Sequence, residues 1–277
     1  MSKLQRSERI AVLLNMMSNS PGKTFTLGEF TEMFDSAKSS ISDDIDILRN
    51  IMDRFDLGKI ETTSGASGGV KFIPSVSNEK AVRILEDLAL ELSSKDRILP
   101  GGFIYMLDII YNPQKVYDIG SLFASHFYKY DIDYVITVET KGIPLAFSTA
   151  SRMGVPLVIA RHYSEAADGA SVNINYVSGS SNKIQTMVLS LKALNKNSKL
   201  LFIDDFMKGG GTAKGILELA KQFDCELSGI GVLISTLEPQ KKLVDNYYSL
   251  LNLKGINQEK GIIDIQIAES VKNAFKN

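Results

Sequence analysis

The 277-residue sequence predicts a small helical unit with a β-hairpin, followed by a larger α/β unit with a mostly parallel sheet. In the first 74 residues, apolar residues recur at helical spacing in three short segments, and two strand-like segments around a glycine-rich turn follow them. From about residue 130 onward, short apolar runs alternate with helical patterns, which is typical of parallel strands joined by helices. The predicted domains are therefore residues 1–74 and residues 75–277.

The composition is that of an ordinary globular protein, with 44% hydrophobic residues, 23% charged residues and a net charge of -1. The single cysteine, Cys225, excludes an intramolecular disulfide and favours a reducing compartment. Since no apolar run is long enough for a signal peptide or a membrane span, we expect a cytoplasmic protein with no membrane partner. Residues 1–74 hold nine of the 31 basic and ten of the 32 acidic residues, so any case for DNA binding rests on architecture rather than on charge.

The N-terminal segment has the order of elements of a winged helix-turn-helix. Thr26 and Glu29 have the spacing of a capping box at the start of the second helix, and a third helix begins near Lys38. Two strand-like segments, residues 59–63 and 70–73, then flank a glycine-rich tip at residues 64–69. The expected buried positions are Ile10, Leu13, Leu14 and Met17 in helix one, Leu27, Phe30 and Phe34 in helix two, and Ile41, Ile45, Leu48 and Met52 in helix three. Helices two and three would place the third helix in the DNA major groove.

Polar residues on this unit are candidates for contacts with DNA. They are Lys38, Ser39, Ser40 and Ser42 at the start of helix three, Arg6 and Arg9 on helix one, and Lys59 and Lys71 on the hairpin. Asp43, Asp44 and Asp46 on helix three oppose DNA binding, so we expect them to lie away from the groove. The alternative is a small helical interaction domain with an incidental hairpin.

The second domain is expected to alternate helices and strands. The predicted helices are residues 78–93, 116–130, 143–153 and 213–223, and the predicted strands are residues 134–138, 156–160, 200–203 and 227–236, with further apolar runs over 247–267. The polar region 163–183 is either a mobile lid or an extended hairpin. In such folds, ligands bind at the carboxyl ends of the parallel strands.

The strand at residues 200–203 ends in the most informative segment of the chain. Asp204 and Asp205 follow it directly, and Lys208, three glycines and Thr212 then open a helix. Glycines let backbone N–H groups approach an anion, and a helix N-terminus favours negative charge. The two carboxylates suit ribose hydroxyls or a hydrated metal, although glycines in this position also occur in simple tight turns. Since paired carboxylates at a buried strand end are costly unless something neutralises them, a ligand site is favoured.

Two other strand ends are polar in a consistent way. Thr140, Lys141 and Gly142 follow the strand at residues 134–138, and Arg161 follows the strand at residues 156–160. A glycine beside a cation suits a pyrophosphate, and a guanidinium offers a fork of donors to phosphate oxygens. With the acidic pair, these residues predict a site for a diphosphorylated ribose.

The segment Phe202-Ile-Asp-Asp-Phe-Met-Lys-Gly-Gly-Gly-Thr212 resembles the phosphoribosyl-diphosphate (PRPP) motif of type I phosphoribosyltransferases, and Val138-Glu-Thr-Lys-Gly-Ile-Pro144 resembles their pyrophosphate loop. With its N-terminal winged helix and Pro100-Gly-Gly102, the whole chain is similar to the purine operon repressors of Gram-positive bacteria. The resemblance implies an N-terminal winged helix-turn-helix plus a C-terminal type I phosphoribosyltransferase-like domain. It also implies a homodimeric repressor of purine biosynthesis and transport genes that binds promoter DNA. In that family the second domain is not catalytic: it binds PRPP as an inducer, and guanosine tetraphosphate can compete.

Carried onto this sequence, the resemblance implies effector contacts but no catalytic residue, no cofactor for catalysis and no metal ligands of the protein's own. Asp204 and Asp205 would hold the ribose hydroxyls. The diphosphate would be held by Thr140, Lys141, Gly142 and Arg161, with Mg²⁺ as its companion. The backbone of Lys208, Gly209, Gly210, Gly211 and Thr212, with the Thr212 hydroxyl, would hold the 5′-phosphate. Phe206 and Met207 are further effector-binding candidates, and the aromatic residues at the place of a base would be Phe103, Tyr105 and Phe206.

One departure from the family of active enzymes bears on function. Transferases usually carry Ala-Thr-Gly-Gly-Thr after the acids, whereas this chain has Lys208-Gly-Gly-Gly-Thr212, which adds a cation and removes a hydroxyl. Tighter binding of a ground-state anion does nothing for turnover, so we expect a regulator that is not an enzyme. The alternatives are an active purine phosphoribosyltransferase with an accessory N-terminal domain and an RNA-binding attenuator, which a winged helix disfavours.

Overall fold

The computed structural model describes residues 4–63, 65, 68–163, 169–177 and 184–274. The chain divides into two compact units, one of Met1–Ser77 with Arg152–Gly154 and one of Asn78–Ser151 with Val155–Asn277. The division by contacts thus falls close to Pro74, the boundary expected from the sequence.

The first unit has three helices followed by a hairpin, in the order expected from the sequence. Its elements are α1 (Arg6–Ser18), α2 (Leu27–Phe34), α3 (Lys38–Arg54), β1 (Lys59–Thr63) and β2 (Gly69–Ile73). The capping box forms as expected, because the Glu29 amide donates to Thr26 Oγ1 at 3.2 Å and the Thr26 amide donates to Glu29 Oε2 at 2.6 Å. The two strands pair antiparallel. Half of the glycine-rich tip (residues 64, 66 and 67) lies outside the described residues.

The core of this unit comes from all three helices and the hairpin. It contains Leu13, Met17, Phe30, Phe34, Ile41, Ile45, Leu48, Met52, Ile60, Val70 and Phe72. Two of the residues expected to be buried on α1, Ile10 and Leu14, are only partly buried, so the buried face of α1 is narrower than the spacing of its apolar residues indicates. On α2, Leu27 is also only partly buried.

The second unit is built on a six-stranded sheet with the order β12-β11-β10-β9-β5-β6. Its helices are α4 (Asn78–Leu92), α5 (Leu107–Ile110), α6 (Pro113–Phe127), α7 (Ile143–Met153), α8 (Gly211–Gln222) and α9 (Glu269–Ala274). Its strands are β3 (Ile98–Leu99), β4 (Phe103–Ile104), β5 (Tyr134–Val138), β6 (Leu157–Ala160), β7 (Ser171–Val177), β8 (Ile184–Ser190), β9 (Lys199–Met207), β10 (Glu226–Thr236), β11 (Tyr248–Asn257) and β12 (Ile262–Ile267). All neighbouring strands of the large sheet are parallel except β12, which pairs antiparallel with β11. The prediction of a mostly parallel sheet is confirmed.

One strand and one helix differ from the sequence-based expectation. The strand expected to end at Ile203 continues to Met207, because Asp204 and Phe206 still pair with β10. The helix expected from residue 116 starts at Pro113, where the Asn112 side chain accepts a hydrogen bond from the Gln114 amide at 3.0 Å. Its last turn, residues 128–130, is a 3-10 helix.

The region 163–183 contains the first strand of an antiparallel hairpin, β7–β8, which favours the hairpin over a lid. Residues 164–168 and 178–183 lie outside the described part of the chain, so a lid in those positions stays a prediction. Among the helices described, none is both long and apolar enough to cross a membrane.

Candidate functional site

The segment between β9 and α8 forms the cradle expected from its glycines. Gly210 precedes α8 with a φ of 81°, a backbone conformation that favours glycine, and a Cβ there would lie only 3.3 Å from the Leu243 nitrogen. The first amides of α8 have no partner within the helix and are available to an anion. A cavity of about 40 Å³ opens here, lined by Phe202, Asp204, Phe206, Met207, Lys208, Gly210, Gly211, Thr212 and Ala213.

The acidic pair is arranged so that one carboxyl resists ionisation. The Asp205 amide donates to Asp204 Oδ1 at 2.9 Å. Burial, followed by the neighbouring charge of Asp205, raises the pKa of Asp204 well above its ordinary value. A ligand that brings hydroxyl donors or positive charge would stabilise the ionised pair, which is the chemistry expected of a ribose site.

The segment 140–142 lies against the acidic pair. A Cβ on Gly142 would lie 2.5 Å from Thr137 Oγ1 and 3.0 Å from Asp204 Oδ1, so only glycine fits there without displacing its neighbours. Thr140 and Lys141 are exposed, and the peptide bond between Glu139 and Thr140 is cis. The fold therefore brings together two of the three segments that the sequence assigned to one site.

Arg161, which is the third part of the site expected from the sequence, lies beside a different cavity. Its amide donates to the Val188 carbonyl at 3.0 Å, and the Val188 amide donates to its carbonyl at 2.8 Å, which ties the end of β6 to β8. The residue lines a cavity of about 320 Å³ between these strands rather than the cavity at the glycine loop. Its contact with a diphosphate stays a prediction.

The aromatic residues expected near a base are also divided. Phe206 lines the glycine-loop cavity, whereas Phe103 and Tyr105 lie exposed at and just after β4. Arg97 holds this segment: its Nη1 donates to the Tyr105 carbonyl at 3.0 Å, and its two terminal nitrogens each donate to Asp108 at 2.8 Å. The role of Phe103 and Tyr105 toward a ligand remains untested.

Two residues near the loop were not found from the sequence. Tyr176 on β7 is buried, and its hydroxyl donates to Gln185 Oε1 at 2.8 Å. Burial and the charge of Asp204 raise the pKa of Tyr176, while a hydrogen bond with Thr212 lowers it, so its hydroxyl lies close to both ends of the loop. Lys242, between β10 and β11, donates to the Lys208 carbonyl. A lone tyrosine in an alternating strand and a lone lysine in a loop carry no recognisable motif.

A divalent cation would need ligands besides the protein. The described side chains contain no group of three or more His, Cys, Asp or Glu residues placed to hold a metal. Asp204 and Asp205 supply two carboxylates, and Mg²⁺ commonly completes its shell with water and phosphate oxygens. The site therefore fits Mg²⁺ as a companion of a diphosphate.

In the first unit, the candidate DNA-contacting residues of α3 are at the surface. Lys38, Ser39 and Ser42 are exposed and Ser40 is half-buried. Of the three acids expected to turn away from a groove, Asp44 is fully buried, whereas Asp43 and Asp46 are exposed.

Asp44 is neutralised by the two arginines of α1. Arg9 Nε lies 2.7 Å from one carboxylate oxygen and Arg6 Nε lies 3.1 Å from the other. The Arg9 side chain is only 11% exposed, so its first role is to anchor α3 to α1, while that of Arg6 is 54% exposed. Contacts of either arginine with a phosphate stay predictions.

The hairpin is tied to α3 by a residue that the sequence did not single out. Arg49 donates from Nε to the Ile60 carbonyl at 3.3 Å and from Nη2 to Thr62 Oγ1 at 2.8 Å. Lys59 is exposed, and Lys71 lies 3.5 Å from Glu61. Arg49 therefore helps to set the position of the β1–β2 hairpin relative to α3.

Comparison with known proteins assigns both units. Residues 5–74 match the family described as bacterial purine repressor, N-terminal, and residues 106–268 match the phosphoribosyl transferase domain. The chain is 44% identical to the purine biosynthesis transcriptional repressor PurR of Bacillus subtilis, over 95% of this chain and 93% of that protein. It is 36% identical to the purine biosynthesis transcriptional activator PurR of Lactococcus lactis, over 95% of this chain and 97% of that protein.

Solved structures match the second unit's fold. Adenine phosphoribosyltransferase from Thermoanaerobacter pseudethanolicus aligns with a TM-score of 0.53 and 17% identity, over 61% of this chain and 99% of that one. The enzyme from Saccharomyces cerevisiae aligns with a TM-score of 0.53 and 21% identity, over 61% and 98%. With a repressor-type N-terminal domain joined to a phosphoribosyltransferase fold, and 44% identity along nearly its whole length, the chain belongs to the bacterial purine repressor family.

Proposed function

We propose that this protein is a DNA-binding transcriptional repressor of purine biosynthesis and transport genes, and that its second unit binds PRPP as an inducer without catalysing transfer. The observation that carries the proposal is the presence, in one chain, of a winged-helix unit and a glycine-loop cradle beside a buried acidic pair. A relative named a purine biosynthesis transcriptional repressor, which matches over nearly the full length, supports the regulatory part of the proposal.

The cradle supports a sensor better than an enzyme. Lys208 is exposed at the mouth of the loop, where its ammonium can reach a phosphate. Asp204 and Asp205 suit the ribose hydroxyls, and residues 140–142 lie beside them for the diphosphate. The Lys208 ammonium and the loop amides favour a bound phosphate in its ground state, which is what a sensor requires and what turnover alone does not reward. Guanosine tetraphosphate, an anion with diphosphate groups on a ribose, would compete for the same site.

On the DNA side, α3 would enter the major groove and the hairpin would contact the backbone. A homodimer would place two such helices on two half-sites of a promoter, since repressors of this architecture commonly read paired half-sites. Binding should fall steeply as salt is raised, because contacts from Lys38, Lys59 and other cations release counterions from the DNA.

A promoter-shift assay tests the proposal. Full-length protein is incubated with a fragment upstream of a purine biosynthesis gene, with PRPP and Mg²⁺ added in increasing amounts. PRPP is expected to release the DNA, and Asp204→Ala and Lys208→Ala are expected to bind the DNA but fail to release it. A shift that is absent, or that does not weaken with salt, would argue against DNA binding as proposed. Loss of both DNA binding and ligand response in one variant would indicate misfolding.

Two further measurements separate the alternatives. Incubation with PRPP and each purine base tests for transferase activity, which the phosphoribosyl transferase match and a xanthine phosphoribosyltransferase 31% identical over 55% of this chain make worth measuring. Nucleotide formation at ordinary enzymatic rates would contradict a purely regulatory role. Transcription in vitro from the same promoter distinguishes repression from activation, since a relative of equal coverage is named an activator.

A further inference from the structure

Lys242 is a buried cation directly behind the glycine loop. It lies in the connection between β10 and β11, and only 9% of the residue is exposed. Its ammonium donates to the Lys208 carbonyl, to the Thr236 carbonyl at 2.8 Å and to Thr236 Oγ1 at 3.1 Å. All three acceptors are neutral, and among the described residues no carboxylate lies within ion-pair distance of this ammonium. Burial lowers the pKa of Lys242, and the charge of Glu238 acts in the opposite direction.

This connection also fixes the orientation of the loop's peptide groups. The Lys242 ammonium donates a hydrogen bond to the Lys208 carbonyl, and the amide of the next residue, Leu243, donates to the Gly209 carbonyl at 2.9 Å. In a planar trans peptide the N–H points opposite to the C=O. Because both carbonyls are drawn toward this connection, the amides of Gly209 and Gly210 are directed away from it. Oriented N–H groups of this kind form anion-binding concavities.

We propose that Lys242 is a positioning residue for the sugar-phosphate site: it orients the peptides of the glycine loop and places a buried positive charge behind the bound 5′-phosphate. This inference rests on the proposed function, since it assumes that the loop receives a phosphate. The side chain contacts the loop's backbone rather than the ligand, and its charge acts through the loop.

The position of Lys242 is hard to explain by stability alone. A buried charge that has no ion-pair partner in the described part of the chain costs folding free energy there, and an apolar residue of similar shape is often neutral or stabilising in such a position. Lys241, its exposed neighbour, carries the same charge outside the interior and offers a matched control.

The test uses isothermal titration of the full-length protein with two probes, ribose 5-phosphate and inorganic pyrophosphate. Lys242→Met removes the charge and the donors, Lys242→Gln keeps a donor without the charge, and Lys241→Met removes a surface charge. We expect Lys242→Met to weaken ribose 5-phosphate by about tenfold or more, the effect of losing one charge-assisted contact. Pyrophosphate, assigned to residues 140–142, should keep its affinity. Lys242→Gln should lie between the wild type and Lys242→Met, and Lys241→Met should match the wild type.

Each outcome decides something. Equal ribose 5-phosphate affinity in the wild type and both Lys242 variants would overturn the inference and leave the proposed function standing. Equal weakening of both probes would also overturn it, since that result indicates general damage to the domain. A wild type that binds neither probe would remove the proposed effector site and this inference with it. If Lys242→Met fails to fold, as shown by its thermal melt, Lys242→Gln gives the same comparison.

Discussion

The buried ion pair between α1 and α3 makes a sharp prediction for the first unit. Asp44 is fully buried, with Arg9 Nε 2.7 Å from one oxygen and the half-exposed Arg6 on the other. Asp44→Asn keeps the shape of the side chain and one acceptor oxygen, but removes the charge that compensates Arg9. We expect this change to unfold the first unit at a much lower temperature, because it leaves a nearly buried guanidinium without its carboxylate.

The size of the effect follows from the burial of each partner. Removing one member of a buried pair costs about 3–5 kcal/mol, and the amide oxygen that remains places Asp44→Asn at the lower end, about 3 kcal/mol. The contact with Arg6 adds less than about 1 kcal/mol, because that side chain is 54% exposed and solvent screens it. A unit of this size has a total stability of about 4–12 kcal/mol. Each kcal/mol shifts the melting temperature of such a unit by about 4–8 °C, so the expected shift is about 12–24 °C.

Hydrogen exchange on the full-length protein, followed at rising temperature, locates the change. Amides of α1 and α3 should lose protection in Asp44→Asn, while those of the central strand β9 should not. Asp43→Asn, an exposed neighbour on the same helix, is the matched control and should alter stability by no more than about 0.5 kcal/mol. If Asp44→Asn and Asp43→Asn melt alike, the assignment of Asp44 as a buried anchor is refuted.

Three further changes test the second unit. The pKa of Asp204 in the folded protein is raised above the ordinary 3.8. Below pH 3.8 this carboxyl therefore has no effect on the free energy of unfolding, and the free energy of unfolding falls as pH rises from there through the raised pKa. Urea unfolding should therefore show Asp204→Asn to be more stable than the wild type at neutral pH and equally stable in strong acid. Equal stability at neutral pH would contradict the burial of charge beside Asp205. Gly142→Ala should abolish ribose 5-phosphate binding by titration, because its methyl would lie 2.5 Å from Thr137 Oγ1 and 3.0 Å from Asp204 Oδ1 and would displace them, whereas Gly255→Ala, with no atom within 4 Å, should bind normally. Arg97→Lys should cost about 1.5–3 kcal/mol in urea unfolding, because lysine cannot make the two-pronged contact with the α5 carboxylate, and an unchanged midpoint would refute that role.

The sequence predicted the first unit well because its signals are local. The spacing of Ile41, Ile45 and Leu48 marks one face of α3, and the Thr26–Glu29 capping box sits within one turn of helix. The partners of Asp44 could not be found in this way, since they lie 35 and 38 residues away along the chain. Asp44 therefore looked like an obstacle to DNA binding, whereas its burial against α1 removes that charge from the surface.

In the second unit, the sequence predicted the order of the helices and strands along the chain, but it did not predict all the contacts between strands that are distant in sequence. The carboxyl ends of β5 and β9 meet because the strands are neighbours, so residues 140–142 and Asp204 come together as expected. Arg161 follows β6, the edge strand, and its backbone pairs with β8 instead. No pattern in the residues near Arg161 predicts that pairing, because its partner strand β8 begins more than 20 residues later along the chain.

The glycine loop between β9 and α8 could belong to a sensor or to a transferase, and the residues around it favour a sensor. Lys208 replaces a small residue of the transferase motif that the sequence resembles, and its side chain is exposed while its carbonyl is held from behind by Lys242. A rigid, positively charged cradle lowers the free energy of the bound anion, and it lowers the free energy of the transition state no further unless new contacts form there. A transferase with such a loop would bind its substrate tightly and turn it over no faster. For a sensor the same binding is the signal when the ligand binds the free protein more tightly than the DNA-bound protein, and linkage then requires DNA to weaken the ligand by the same factor.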